Sequence, residues 1–88
     1  MGADAKWYIY ILECKDKKLY TGITSNLEER IAQHNRGAGC RFTKFRGPFT
    51  LLYAEELKTR ESALKREAQI KGFTRQKKLA LISRYTCV

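Results

Sequence analysis

Two β-favouring runs separated by four polar residues constrain this chain more than any other feature. Lys6-Trp7-Tyr8-Ile9-Tyr10-Ile11-Leu12-Glu13-Cys14 is dense in aromatic and β-branched side chains, and Leu19-Tyr20-Thr21-Gly22 follows directly after Lys15-Asp16-Lys17-Lys18. A parallel crossover needs about a dozen residues or more, so runs this close must pair antiparallel, as a hairpin. In the first run Trp7, Ile9 and Ile11 share one face while Tyr8, Tyr10 and Leu12 share the other. Both faces are apolar enough to need cover. Such a strand belongs in the middle of a sheet, with helices on both sides and a partner or cleft for the Tyr10 hydroxyl.

Beyond Gly22 the pattern changes to a helical one. Thr24-Ser25-Asn26 supplies capping oxygens, with Ser25 or Asn26 as the cap, and Glu28 and Glu29 make the first turn acidic. The spacing predicts a helix from Leu27 to Asn35 or Arg36, stopped by Gly37 and Gly39. On it Leu27, Arg30, Ile31 and His34 fall at i, i+3, i+4 and i+7, so the stripe that should pack on the sheet is half polar. A buried guanidinium is costly without an anion. Either a carboxylate waits for Arg30 inside, or the stripe borders a cleft that receives one.

The remaining elements follow from their punctuation. Gly37 to Pro48 interleaves Arg41, Lys44 and Arg46 with Phe42 and Phe45, a mixture that suits phosphates and stacked bases, although the rings could equally pin a loop to the core. Phe49 to Glu56 is the third strand, entered through Pro48. Thr59 caps a helix over Arg60 to Lys71 that Gly72 ends, with Ala63, Leu64, Glu67 and Ile70 on its inward stripe. Glu67 is thereby the candidate partner for Arg30. Thr74 caps a shorter helix from Arg75 to Ser83, in which Leu79, Leu81 and Ile82 point inward and Arg75, Lys77 and Lys78 face water. The order β-β-α-β-α-α has too few strands for a doubly wound sheet. It predicts an α+β fold, a three-stranded antiparallel sheet flanked by helices, as one domain over residues 1–88 with its core at about 7–82.

Composition narrows the partners. No apolar stretch is long enough to span a bilayer, and Cys14, Cys40 and Cys87 are odd in number without C-x-x-C spacing, so reduced thiols and a cytoplasmic location are expected. The net charge of +9 is unevenly spread: residues 1–56 carry nine basic and seven acidic groups, and 57–88 carry nine and two. A polyanion is the expected partner, nucleic acid before an anionic membrane, because the basic segments lack a bulky apolar face. Arg41, Lys44, Arg46, Lys71, Arg75, Lys77 and Lys78 are the cations placed on loops or outer helix faces.

Tyr8-Ile9-Tyr10, Tyr20-Thr21-Gly22, Asn26-Leu27-Glu28-Glu29-Arg30, His34 and Ala63-Leu64-Lys65-Arg66-Glu67 come in an order and spacing that resemble the GIY-YIG nuclease superfamily. The resemblance runs from about Trp7 to Ile82 and is nearest the small stand-alone bacterial branch. Tyr8 stands where the name has its first Gly, and Thr21 where it has its second Ile. It implies phosphodiester hydrolysis in nucleic acid, DNA before RNA, with one Mg²⁺ or Mn²⁺ anchored on Glu67 and weakly held without substrate. Arg30 would clamp the scissile phosphate, and Tyr10 and Tyr20 would orient water, Tyr10 first as proton acceptor. His34 would be the rival base or a phosphate ligand, or simply a helix-end residue against the dipole. The residues alone leave other readings open. Tyrosines with satisfied hydroxyls fill many cores, and Glu67 with Arg30 could be a buried ion pair. The alternative function is a basic nucleic-acid-binding module that does not cut, or a subunit that cuts only with a protein partner supplying specificity.

Overall fold

The computed structural model describes residues 6–36 and 48–86. Its elements are β1 (Trp7–Glu13), β2 (Leu19–Thr24), α1 (Leu27–Asn35), β3 (Thr50–Leu57), α2 (Arg60–Lys71) and α3 (Arg75–Thr86). The three strands form one antiparallel sheet in the order β2-β1-β3, an α+β fold with β1 in the middle.

The β1–β2 turn closes tightly. Lys17 N–H donates to Cys14 C=O at 2.9 Å and Cys14 N–H to Lys18 C=O at 2.8 Å, with Lys17 in the left-handed region at φ 72°. This is a type I turn followed by a left-handed residue, a three-residue hairpin loop whose twist suits the flanking strands. On the other edge β3 carries a bulge: Ile11 faces Tyr53 but Leu12 faces Leu51, which leaves Leu52 as the extra residue. The bulge lets neighbours Leu52 and Tyr53 both pack on one face.

Each face of the sheet has its own apolar cluster. Ile9, Ile11 and Tyr53 pack with Ile70 of α2 and Ile82 of α3, flanked by Leu19, Ile23, Leu52, Leu57, Phe73 and Leu81. Tyr10, Leu12, Cys14 and Phe49 form the opposite cluster with Tyr20 and with Leu27 and Ile31 of α1. Covering both faces removes β1 from water, and Ile9, Tyr10, Ile11 and Leu12 are completely buried. Caps hold the helices in place: Asn26 Oδ1 accepts from Glu29 N–H at 3.1 Å, and Thr59 Oγ1 from Ser62 N–H at 3.0 Å.

Several sequence expectations need correction. β2 runs on to Thr24 instead of ending at Gly22, and α3 continues past Ser83 to Thr86. Leu64 and Leu79 are not core residues; they are 39% and 43% exposed. On α3, Leu81 and Ile82 pack inward as expected, while Lys78, four residues before Ile82, lies half-buried where a water-facing side chain was expected.

Candidate active site

A polar cluster lies between β1, β2 and α1. Tyr10 projects from the central strand toward α1, where its hydroxyl shares a hydrogen bond with His34 Nε2 at 2.9 Å. Arg30, one helical turn before His34, donates from Nε to the same hydroxyl at 3.4 Å and from Nη1 to Gln33 Oε1 at 2.9 Å. The polar half of the α1 stripe is thus aimed at one phenol. Tyr20 completes the group from the edge strand, its ring 6.2 Å from that of Tyr10 and 5.1 Å from that of His34. The structure therefore brings together four of the five residues singled out as catalytic: Tyr10, Tyr20, Arg30 and His34.

Gly22 is the reason Tyr10 fits. It pairs with Tyr10 across the β1–β2 ladder, and a Cβ there would fall 2.6 Å from the Tyr10 hydroxyl and 3.0 Å from Cε2 of Tyr20. Ala54, the partner on β3, is small for the same position. A glycine inside a strand costs entropy and packing, and here it makes room for a close approach.

Exposure divides the cluster. Tyr10 and His34 are wholly buried, whereas Tyr20 and Arg30 are only half-buried. His34 sits among aromatic rings, with Phe49 at 5.9 Å and Tyr10 at 5.8 Å. Burial, with the Arg30 charge second, lowers its pKa from 6.5 to about 4, so the imidazole is neutral at neutral pH. In this structure His34 is completely buried, and its Nε2 faces the Tyr10 hydroxyl.

Glu67 lies on α2, whose buried Ile70 packs against Ile9 and Ile11, the face of β1 opposite Tyr10. Its carboxylate is paired with Lys71 Nζ at 3.3 Å, one turn on, with side-chain exposures of 18% and 53%. The proposed Glu67–Arg30 pair is therefore replaced by Glu67–Lys71, because the two residues approach the sheet from different faces. The two faces meet at the edge of β2. An open hollow of about 330 Å³ there is lined by Leu19, Tyr20 and Thr21 with Lys71 of α2 and Lys78 of α3.

The remaining basic candidates divide by position. Arg75 and Lys77 are exposed on α3, with Lys77 Nζ 4.4 Å from the centre of the Phe73 ring. Arg41, Lys44 and Arg46 lie outside the described residues.

Comparison with known proteins identifies the family. The model of the GIY-YIG catalytic domain matches residues 6–80. The chain belongs to the GIY-YIG family. A UPF0213 protein of Staphylococcus saprophyticus is 55% identical over 78 residues, covering 89% of this chain and 95% of that one. A UPF0213 protein of Clostridium perfringens is 53% identical over 76 residues, covering 86% and 82%. The solution structure of a UPF0213 protein from Bacillus halodurans is 41% identical with a TM-score of 0.59, covering 89% of this chain and 83% of that one. That of a protein from E. faecalis is 32% identical with a TM-score of 0.64, covering 94% and 88%.

The GIY-YIG family generally uses a divalent metal. Among the described residues no three His, Cys, Asp or Glu side chains converge on a point, so a closed protein cage is not formed. A single carboxylate on an open edge suits Mg²⁺, which keeps most of its waters and takes further oxygens from a phosphate. Glu67, the carboxylate expected to take this part, is paired with Lys71.

Sequence reading missed three participants. Gln33 fixes the guanidinium of Arg30, and its signal was the i, i+3 spacing between them. Asn35 Oδ1 accepts from Phe49 N–H at 2.9 Å, tying the end of α1 to the entrance of β3. Glu55 of β3 accepts from Arg66 Nε at 3.1 Å and from the Tyr53 hydroxyl at 2.6 Å, a second half-buried carboxylate legible from its alternation with Tyr53 and Leu57.

Proposed function

We propose that this chain, read as one domain over residues 1–88, is a metal-dependent nuclease that hydrolyses phosphodiester bonds in nucleic acid, with DNA as the expected substrate. The observation that carries the reading is the convergence of Arg30 and Tyr20, both reachable from solvent, over the buried Tyr10–His34 pair.

Arg30 is the phosphate clamp. Its planar guanidinium is held by Tyr10 and Gln33, so the fork is oriented before substrate arrives, and little entropy is lost when it closes on two phosphate oxygens. Because Arg30 already donates to the Tyr10 hydroxyl, the phenolic proton of Tyr10 bridges to neutral His34. Tyr10 then serves as a positioning residue whose proton is turned inward. Tyr20, half-exposed beside it, is the side chain that meets attacking water, and in its phenolate form it would take up the proton that the water loses. A divalent ion bound at Glu67 would stabilise charge on phosphate oxygens and lower the barrier to attack. Lys71 and Lys78 at the hollow, with Arg75 and Lys77 on α3 and Arg41, Lys44 and Arg46 outside the described residues, supply the phosphate contacts that draw the backbone in.

One observation favours a second reading. The Glu67–Lys71 pair occupies the only carboxylate that the nuclease reading assigns to metal, as suits a module that binds nucleic acid without cutting, or that cuts only with a partner protein. A single experiment separates them: purified protein with Mg²⁺ or Mn²⁺ is incubated with single strands, duplexes, flaps and junctions. Cleavage by wild type, its loss in Tyr20→Phe and a residual rate in Tyr10→Phe are expected. Binding without cleavage of any substrate would overturn the nuclease reading.

A further inference from the structure

Thr21 is buried to 3% exposure, and its hydroxyl has no hydrogen-bond partner among the described residues. A buried, unsatisfied hydroxyl is rare and unfavourable in a native protein, and often marks a missing ligand or water. Thr21 follows Tyr20 in β2 but projects to the other face, since it pairs with Ile11 while Tyr20 pairs with Leu12. It lines the hollow between β2 and the two helices, together with Leu19, Tyr20, Lys71 and Lys78. Two lysines and the residue that carries the orphan hydroxyl thus line one open space. Lys78 is half-buried, as a lysine is when its stem packs on apolar surface and its charged head stays in water.

We propose that this hollow is a second phosphate-binding site, seating a nucleic-acid backbone phosphate next to the one held by Arg30. Lys71 and Lys78 supply the charge, and the Thr21 hydroxyl donates a hydrogen bond from the floor. The proposal rests on the nuclease reading for its ligand class, and it adds a chain-specific element, because Thr21 stands where an isoleucine would leave the floor apolar. A backbone crossing the edge of β2 passes from Tyr20 on one face to Thr21 on the other, so neighbouring phosphates meet neighbouring residues.

The test measures binding of a single-stranded phosphorothioate DNA oligonucleotide in EDTA by fluorescence anisotropy, and melting of the free protein. Thr21→Val should raise the melting temperature of the free protein, since an unsatisfied hydroxyl is removed, yet weaken binding by roughly fivefold. Thr21→Ser should bind as wild type. Lys71→Gln and Lys78→Gln should each flatten the slope of log K against log salt by about 0.7. Unchanged binding in Thr21→Val together with unchanged slopes in both lysine variants would overturn the proposal, as would a lowered melting temperature in Thr21→Val with wild-type affinity, which indicates a structural hydroxyl. The cleavage assay on an unmodified oligonucleotide keeps the readings apart. Wild type that binds through these residues without cutting supports the hollow and removes the nuclease; wild type that cuts while all three variants bind normally keeps the nuclease and removes the hollow.

Discussion

Gly22 lies directly across the β1–β2 ladder from Tyr10, and a methyl group on Gly22 would sit 2.6 Å from the Tyr10 hydroxyl. The phenol cannot yield easily, because it is completely buried and bonded to His34 and Arg30. Gly22→Ala should therefore cost about 1 to 3 kcal/mol of stability, the usual range for overpacking. Thermal melting measures that loss. Cleavage at a temperature where the variant is folded should also fall, because the displaced hydroxyl no longer holds Arg30. A variant with wild-type melting and activity would show that the strands can separate locally to admit the methyl group.

The same contact explains how far the sequence could be read. β1 was legible as central because its two faces were both apolar, and α2 because Thr59 and Gly72 mark its ends. Gly22 was misread as the end of β2. A glycine looks like a breaker unless the bulky residue it accommodates is known, and that residue, Tyr10, is on another strand. The grouping of Tyr10, Tyr20, Arg30 and His34 was accessible from the order of motifs and the α1 stripe. The placement of Glu67 was not, since helical periodicity says that a residue faces inward but not which side of the sheet it faces. On α3 the inward placement of Leu81 and Ile82 was legible, whereas the exposure of Leu79 and the half-burial of Lys78 depend on how the helix seats against the sheet.

The buried imidazole should make stability depend on pH. In the unfolded chain His34 takes up its proton near 6.5, while in the native protein burial holds it neutral down to about 4. The unfolded state thus binds more protons between these values, so stability is complete above about pH 6.5 and falls as pH drops toward 4. The full contribution is about 3 kcal/mol at 1.36 kcal/mol per unit. Denaturant midpoints measured from pH 7 to 5 should decline in wild type. In His34→Gln the decline should be much shallower, and parallel curves would place the titration elsewhere.

Arg30→Lys tests the clamp. Lysine retains the charge but not the fork that bonds Gln33 and Tyr10. Melting should fall by about 1 kcal/mol or less, the size of ordinary neutral-acceptor hydrogen bonds, while cleavage should drop about a hundredfold or more. Cleavage at the wild-type rate would show that only a positive charge is needed.

Glu67→Gln separates a metal ligand from a structural carboxylate. Had Glu67 been the buried partner of Arg30, removing its charge would have cost about 3 to 5 kcal/mol. Its observed partner is Lys71, a lysine half open to water, and exposed i, i+4 pairs contribute about 0.3 to 0.5 kcal/mol. Melting should consequently stay within about 1 kcal/mol of wild type. Metal-dependent cleavage should collapse, and oligonucleotide binding in EDTA should hold or tighten, because Lys71 is released toward the hollow and a negative charge is gone. The three measurements on one preparation have different consequences. A large fall in melting temperature would show Glu67 to be structural, and an active, equally stable variant would show that metal, if used, is held by other residues.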